Sequence, residues 1–480
     1  MATWWAWTGW TSALRFITFC KLYSFGAIVK IMTTFNGDSP RLASSASPGP
    51  KVDSGARQES LRHHNLALLA GLIVQSPTPP SRSDLAVATG LTRPTVTRLV
   101  EQLISAGLAI EEAPITSIRA GRPAVPLAPA PRTYAAIGLE LNIDYLEACL
   151  VDMTGEIIVE RMREWDLRGN EDPRAVLGHL GAMASRLGDQ AVASGLKLAG
   201  IGFALPGLVT TESGHLLTAP NLGWSDLDPL ELLHLTGAAG EVAAYVGNEA
   251  SLAARAECAA RARRDGRQPN FLYLSGHVGF GSAIIRGGRF LEGMHGWGGE
   301  LGHMCIHPDG PRCVCGARGC LECYAGVDAL KTAAGMKPGQ TLGHLFAALE
   351  RHEHQADQAV RQAGTALGIA LANTINLLDI DEVVFGNVYL RLLPYLRPAI
   401  EHELRDRLVA ARWTTPMLTT ATAGERIAAA GAALTALNAL VASPERWTKD
   451  RRGRRPYLPF SHTPETNLVD ITAIRAHATP

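Results

Sequence analysis

Net charge is the first thing this chain lacks: 45 Lys and Arg are balanced by 45 Asp and Glu. No global field draws it to nucleic acid, so any DNA binding has to come from a local surface. A clean apolar span is missing as well. The run from Trp4 to Val29 is broken by Arg15 and Lys21, which a spanning helix tolerates poorly. It also lacks the basic start, unbroken apolar core and small-residue cleavage site of an export signal. We read it as a leader, upstream of a start at Met32, and residues 36–56 (NGDSPRLASSASPGPKVDSGA) as a flexible linker. The expected location is the cytoplasm. The eight cysteines are not spread evenly either: Cys305, Cys313, Cys315, Cys320 and Cys323 crowd into one stretch. Such crowding excludes a disulfide framework in favour of a metal site in a reducing compartment. With 46% hydrophobic and 19% charged residues over 480 positions, two or three globular domains are expected.

From Arg57 the pattern changes. Leu61, Leu66, Leu69 and Ile73 form a helical apolar stripe. After a Pro-rich turn comes SRSDLAVATGLTRPTVTRLVEQLISAGL. Here Ser83 is expected to cap a short helix and Gly90 to end it. Thr92 then caps a second helix with Pro94 in its first turn, where proline is tolerated. Val96, Leu99, Val100 and Leu103 share one face of that helix. Arg93, Thr95, Thr97, Arg98 and Gln102 lie off it, and the N-terminal residues of such a helix are the ones that reach base edges. Leu108–Glu112 begins a wing, and Arg119-Ala-Gly-Arg122-Pro123 is a basic turn suited to phosphate or minor-groove contact. Residues 57–125 hold seven Arg against five acids, a mild local basicity. The segment is predicted to be a winged helix-turn-helix.

Beyond it, residues 126–442 alternate between apolar strands ending in Gly-rich turns and helical stretches such as GNEASLAARAECAARAR. This suits a two-lobed α/β domain with a cleft at the strand ends. Residues 443–480 read as a basic tail. Within the domain, Cys313-x-Cys315-x4-Cys320 offers three thiolates to one ion, and His303, ten residues earlier, completes a tetrahedral set. Cys305, Cys323 and His307 are rival ligands that spacing leaves open. No open coordination position is evident, so the metal is expected to be structural zinc.

Glu300-Leu-Gly-His303, followed by Cys313-Val-Cys315-Gly-Ala-Arg-Gly-Cys320-Leu-Glu322, resembles the signature of the ROK family of repressors, open reading frames and sugar kinases. The likeness covers roughly residues 58–440, with a helix-turn-helix similar to that of the xylose- and N-acetylglucosamine-type repressors. It implies an actin-like, sugar-kinase fold behind the DNA-binding domain. It also implies a sugar pocket: Pro206-Gly207 would touch the sugar through backbone, and Asn248, Glu249, Glu300, His303 and Glu322 through side chains. His303 would serve sugar and zinc alike.

Departures from the family's kinases bear on activity. Where those kinases carry D-x-G-x-T, so that backbone N–H groups can approach ATP phosphates, this chain has Glu140-Leu-Asn142-Ile-Asp144. The second phosphate loop reads Gly276-His277-Val-Gly279-Phe-Gly281, a Gly-Gly pair becomes Gly386-Asn387, and Glu249 replaces the base aspartate. One extra methylene misplaces that carboxylate, which is costly in phosphoryl transfer. The resemblance therefore implies a non-catalytic, sugar-responsive repressor: a dimer or tetramer on an inverted-repeat operator, with no membrane partner. An active sugar kinase and a zinc- or redox-sensing regulator are the competing readings.

Overall fold

The computed structural model describes residues 54–114, 124–168, 171–210, 213–266, 268–276, 279–337 and 339–448. The leader, nearly all of the linker and the tail beyond Thr448 lie outside the described residues. Helix Ser54–Gln75 buries Leu66, Leu69, Leu72 and Ile73. Leu61, expected on the same stripe, is 62% exposed, so the buried stripe starts more than a turn later. Helix Arg82–Thr89 is capped by Ser81 rather than Ser83. The reason is spacing: the Ser81 hydroxyl accepts from the Asp84 N–H, and the Ser81 N–H donates to the Asp84 carboxylate at 2.9 Å, a reciprocal pair that needs three residues between cap and acid. Position 86, the equivalent partner for Ser83, is an alanine. Gly90 turns the chain at φ +69°, and Thr92 caps helix Arg93–Ala106 by accepting from the Thr95 N–H. Strand Ala109–Glu111 pairs antiparallel with Leu127–Pro129 to form the wing.

Two five-stranded sheets follow, one per lobe. In the first, Tyr134–Leu141 is central, parallel to Lys197–Leu205 and antiparallel to Tyr145–Asp152. Ala244–Asn248 and Ile157–Glu164 form its edges. In the second, Phe271–Gly276 lies between Phe280–Arg286 and Glu382–Phe385. Helix Glu249–Asp265 leaves the first sheet directly after Asn248, and helix Ala428–Val441 packs against the first sheet. That second contact needs glycine: a Cβ on Gly138 would sit 1.9 Å from the Ala429 carbonyl oxygen, and one on Gly202 1.9 Å from that of Ala432.

The DNA-binding helices share an apolar core with the effector domain. Leu66, Leu69, Val96 and Leu99 cluster with Tyr134, Ala136, Leu437 and Trp447. Each such leucine, fully buried, contributes about 1.5–3 kcal/mol. The Thr133 hydroxyl donates to the Gly107 carbonyl at 2.6 Å, tying the end of the second helix to the first strand of the lobe. Trp447, placed by its sequence in a basic tail, is 5% exposed and belongs to this core.

Candidate effector cleft, metal centre and nucleic-acid interface

Arg93 and Arg98 are exposed, and Thr95 and Thr97 half-buried, on helix Arg93–Ala106. Val96, Leu99, Val100 and Leu103 take the buried face, so the polar set faces outward as the periodicity predicts. Gln102 is less free than its position suggests, because its side-chain oxygen accepts from Arg62 Nε at 3.0 Å. Arg119 and Arg122 lie outside the described residues.

The thiols of Cys313, Cys315 and Cys320 and the imidazole of His303 come within 4.8 Å of one another. Cys315 Sγ and Cys320 Sγ are 3.8 Å apart, and Cys313 Sγ lies 3.7 Å from His303 Nδ1. Metal–sulfur bonds of about 2.3 Å in a tetrahedron put sulfurs about 3.8 Å apart, so the set could hold one metal ion. Local chain geometry explains the convergence. The backbone of Cys305 pairs antiparallel with that of Cys320, and that of Arg312 with Arg318, while Gly316 reverses the chain at φ +93°. At Gly319 a Cβ would meet the His307 carbonyl oxygen at 1.8 Å. Cys305, Cys323 and His307 stand outside the quartet; the Cys323 thiol instead points to the Arg312 carbonyl.

His303 Nε2 lies 3.9 Å from a carboxylate oxygen of Glu300, which faces the effector cleft. Glu300, Asn248 and Gly207 line one cavity of about 1080 Å³. Gly207 has φ +104°, and a Cβ there would lie 2.2 Å from the Thr218 carbonyl oxygen, so only glycine fits. Asn248 caps helix Glu249–Asp265, accepting from Ala250 N–H at 2.9 Å while its amide donates to the Gly207 carbonyl at 3.1 Å. It holds the cleft's shape with both ends of its side chain. Glu249, His303 and Glu322 do not line this cavity. Glu322 accepts from the Phe280 N–H at 2.9 Å, bracing the second Gly-rich loop, of which His277 lies outside the described residues. Glu249 carries a buried oxygen without a hydrogen-bond partner among the described residues. Burial, with the fields of Glu140, Glu300 and Glu322 adding to it, pushes its carboxyl up to about 8.

The first hairpin turns its polar groups on itself. Glu140 is 2% exposed and accepts from the Tyr145 hydroxyl at 2.7 Å. Asn142 closes the turn, its side-chain oxygen accepting from the Asp144 N–H at 3.3 Å. Asp144 is paired with Arg168, which also reaches Asp328 of the second lobe at 3.6 Å. Of the two carboxylates that stand where the family's kinases approach phosphate, Asp144 has its charge met by Arg168 and Glu140 is buried. Sequence reasoning missed Arg168, Tyr145, Glu147 and Arg255. For Arg255 there was a usable signal, since it stands seven residues past Asn248 on the same helix face.

A profile of the ROK family matches residues 136–439. The chain belongs to the ROK family. The xylose repressor of Bacillus subtilis (strain 168) is 27% identical over 383 residues, 78% of this chain and 95% of that protein. The N-acetylglucosamine repressor of Escherichia coli O157:H7 is 28% identical over 378 residues, 76% of this chain and 90% of that one. Among solved structures, a ROK family transcriptional regulator, homolog of the E. coli MLC protein, matches 80% of this chain and 98% of its own. Its TM-score is 0.65, at 26% identity. A ROK family glucokinase from Streptomyces griseus, covering 62% of this chain and 98% of its own at 21% identity and TM-score 0.52, shares the fold. The family thus holds both regulators and kinases.

Proposed function

We propose that this ROK protein is a sugar-responsive, DNA-binding transcriptional repressor of carbohydrate-metabolism genes that binds its sugar without phosphorylating it. The carrying observation is the union of two parts: a helix-turn-helix presenting Arg93 and Arg98 outward, packed into one core with a ROK domain. The two named repressors are matched over 95% and 90% of their own lengths, by 78% and 76% of this chain. Arg93, Thr95, Thr97 and Arg98 are assigned to base edges and Arg119 and Arg122 to backbone or minor groove. The protein works in the cytoplasm as a homo-oligomer, a dimer or tetramer, on an inverted-repeat operator.

Gly207, Asn248, Glu249, Glu300, His303 and Glu322 are assigned to the effector site, the first two as its frame. One structural zinc ion on His303, Cys313, Cys315 and Cys320 would fix the His303 ring beside Glu300. Helix Glu249–Asp265 supplies a route from effector to DNA. Its cap Asn248 sits at the cleft, Arg263 near its far end bonds the Thr154 carbonyl, and the glycine that ends it packs near Pro77, 3.5 Å from where its Cβ would stand. Pro77 lies between helices Ser54–Gln75 and Arg82–Thr89, and Val74 and Gln75 line the cleft itself. A sugar that favours one arrangement of this helix shifts the equilibrium by its differential affinity.

Gel retardation with promoter DNA, with and without a sugar panel, tests the reading. Arg93→Ala/Arg98→Ala should lose about 1–3 kcal/mol per base contact removed. Unchanged affinity in that variant would take the helix out of the groove, and robust ATP-dependent sugar turnover lost in Glu249→Gln would restore the kinase.

A further inference from the structure

Four arginines line the effector cavity: Arg255, Arg263, Arg289 and Arg446. Three of them are engaged. Arg263 donates to the Thr154 carbonyl, Arg446 to the Ala199 carbonyl at 2.6 Å, and Arg289 has a partner of its own. Arg255 differs. Its Nε is buried with no hydrogen-bond partner, and among the described residues its guanidinium makes no ion pair. Its one specific contact is the Phe290 ring, 4.7 Å from the guanidinium carbon to the ring centroid. Glu292 is the carboxylate whose field reaches it; that group is exposed. A buried donor and charge left without a partner is expensive, and such groups in native proteins are met by something the cavity receives.

Position gives that something its chemistry. Arg255 is seven residues beyond Asn248 on helix Glu249–Asp265, a rise of about 10 Å along one helix face. That separation places a cation in the same cavity as Asn248 and Glu300, displaced along the helix from the cap rather than beside it. A planar guanidinium stacked on an aromatic ring keeps its edge free for bidentate bonding to carboxylate or phosphate oxygens. We propose that the effector is an anionic sugar, bearing a phosphate ester or a carboxylate, and that Arg255 binds its anionic group while Glu300 and His303 meet its hydroxyls. This rests on the effector reading of the cleft given above.

Thermal shift and titration calorimetry on the full-length protein test it. The probes are glucose, xylose and N-acetylglucosamine, each beside its phosphate ester, together with glucuronate and inorganic phosphate. At least one phosphate ester or the uronate should raise the melting midpoint at a concentration where its neutral parent does not, and the gain should shrink as salt is raised. Which arm responds separates phosphate from carboxylate. Arg255→Gln should weaken the anionic sugar at least tenfold and leave the neutral parent unchanged, and Arg255→Lys should restore part of the loss. The salt dependence of the unmodified protein gives the same information if Arg255→Gln does not fold.

Neutral sugars binding as tightly as anionic ones, with Glu300→Ala abolishing both and Arg255→Gln neither, would overturn the proposal and leave the effector site standing. An equal Arg255-dependent shift from inorganic phosphate alone would make this an anion site unrelated to sugar, and so overturn it. No response to any sugar would remove the effector reading and this proposal together.

Discussion

Glu300 and Glu140 both lie within electrostatic reach of Glu249, yet they are committed differently. The Glu300 side chain is 41% exposed and lines the cavity with Asn248 and Gly207. Glu140 is 2% exposed and bonded to Tyr145 of its own hairpin. On the effector side, backbone caps and the Cys/His quartet hold polar groups toward open space. On the hairpin side, where the family's kinases hold phosphate, Glu140 accepts from Tyr145 and Asp144 is paired with Arg168, while one buried oxygen of Glu147 has no hydrogen-bond partner among the described residues. The two sides of the cleft thus differ in how their side chains are committed, open toward the cavity on one and bonded within the hairpin on the other.

The largest test of that contrast strikes the scaffold of the effector side. Cys315→Ser should release the metal, lower the thermal midpoint by several degrees and abolish the sugar response, because binding energy of a structural ion is folding energy. Metal analysis and calorimetry measure both. Full metal occupancy in this variant would move the ligand set to Cys305 or Cys323. Next in size, Glu300→Ala should keep operator affinity while losing its relief by sugar, whereas Glu140→Gln should leave both intact. ATP should give no thermal shift in any of the three proteins. A sugar response lost equally in Glu140→Gln and Glu300→Ala would erase the distinction between the two sides.

Much of this was legible in residues alone, and the limits have physical causes. The metal quartet could be reduced to a candidate set by spacing, since its thiols fall within eight residues and two glycines permit the turns. Setting Cys305, Cys323 and His307 aside needed the fold, in which antiparallel backbone pairing of Cys305 with Cys320 brings the other four ligand atoms together, a pairing that spacing does not encode. The second DNA-binding helix was readable because its cap, proline and apolar face agree. Ser81 was not, since three serine and arginine residues in a row offer two caps and only the Asp84 partner decides. The hairpin's replacement of glycine and threonine was visible, but its consequence was not. Whether Asp144 repels an anion depends on Arg168, 24 positions away, a distance no local pattern spans.

The smallest effect concerns Glu147, the cross-strand neighbour of Glu140 on the hairpin. It is 2% exposed and one of its oxygens has no hydrogen-bond partner among the described residues. Burial, with Glu140 and Glu160 adding and Arg426 opposing, pushes its carboxyl up to about 8 from an ordinary 4.5. A carboxyl raised in the folded state keeps its proton there while the unfolded chain has already ionised. Its contribution to stability is therefore complete below about 4.5 and is lost as pH rises through about 8. Glu147→Gln supplies a neutral side chain of the same shape at every pH. The variant should gain on the parent steadily between about pH 5 and pH 8 and level off above, by at least about 1.4 kcal/mol, the worth of one pKa unit. Glu300→Gln, on the open side of the cleft, should gain far less over the same range. Parallel stability curves for Glu147→Gln and the parent would mean that the hairpin's carboxyls are as solvated as those of the effector side, and that the phosphate-facing side is not closed.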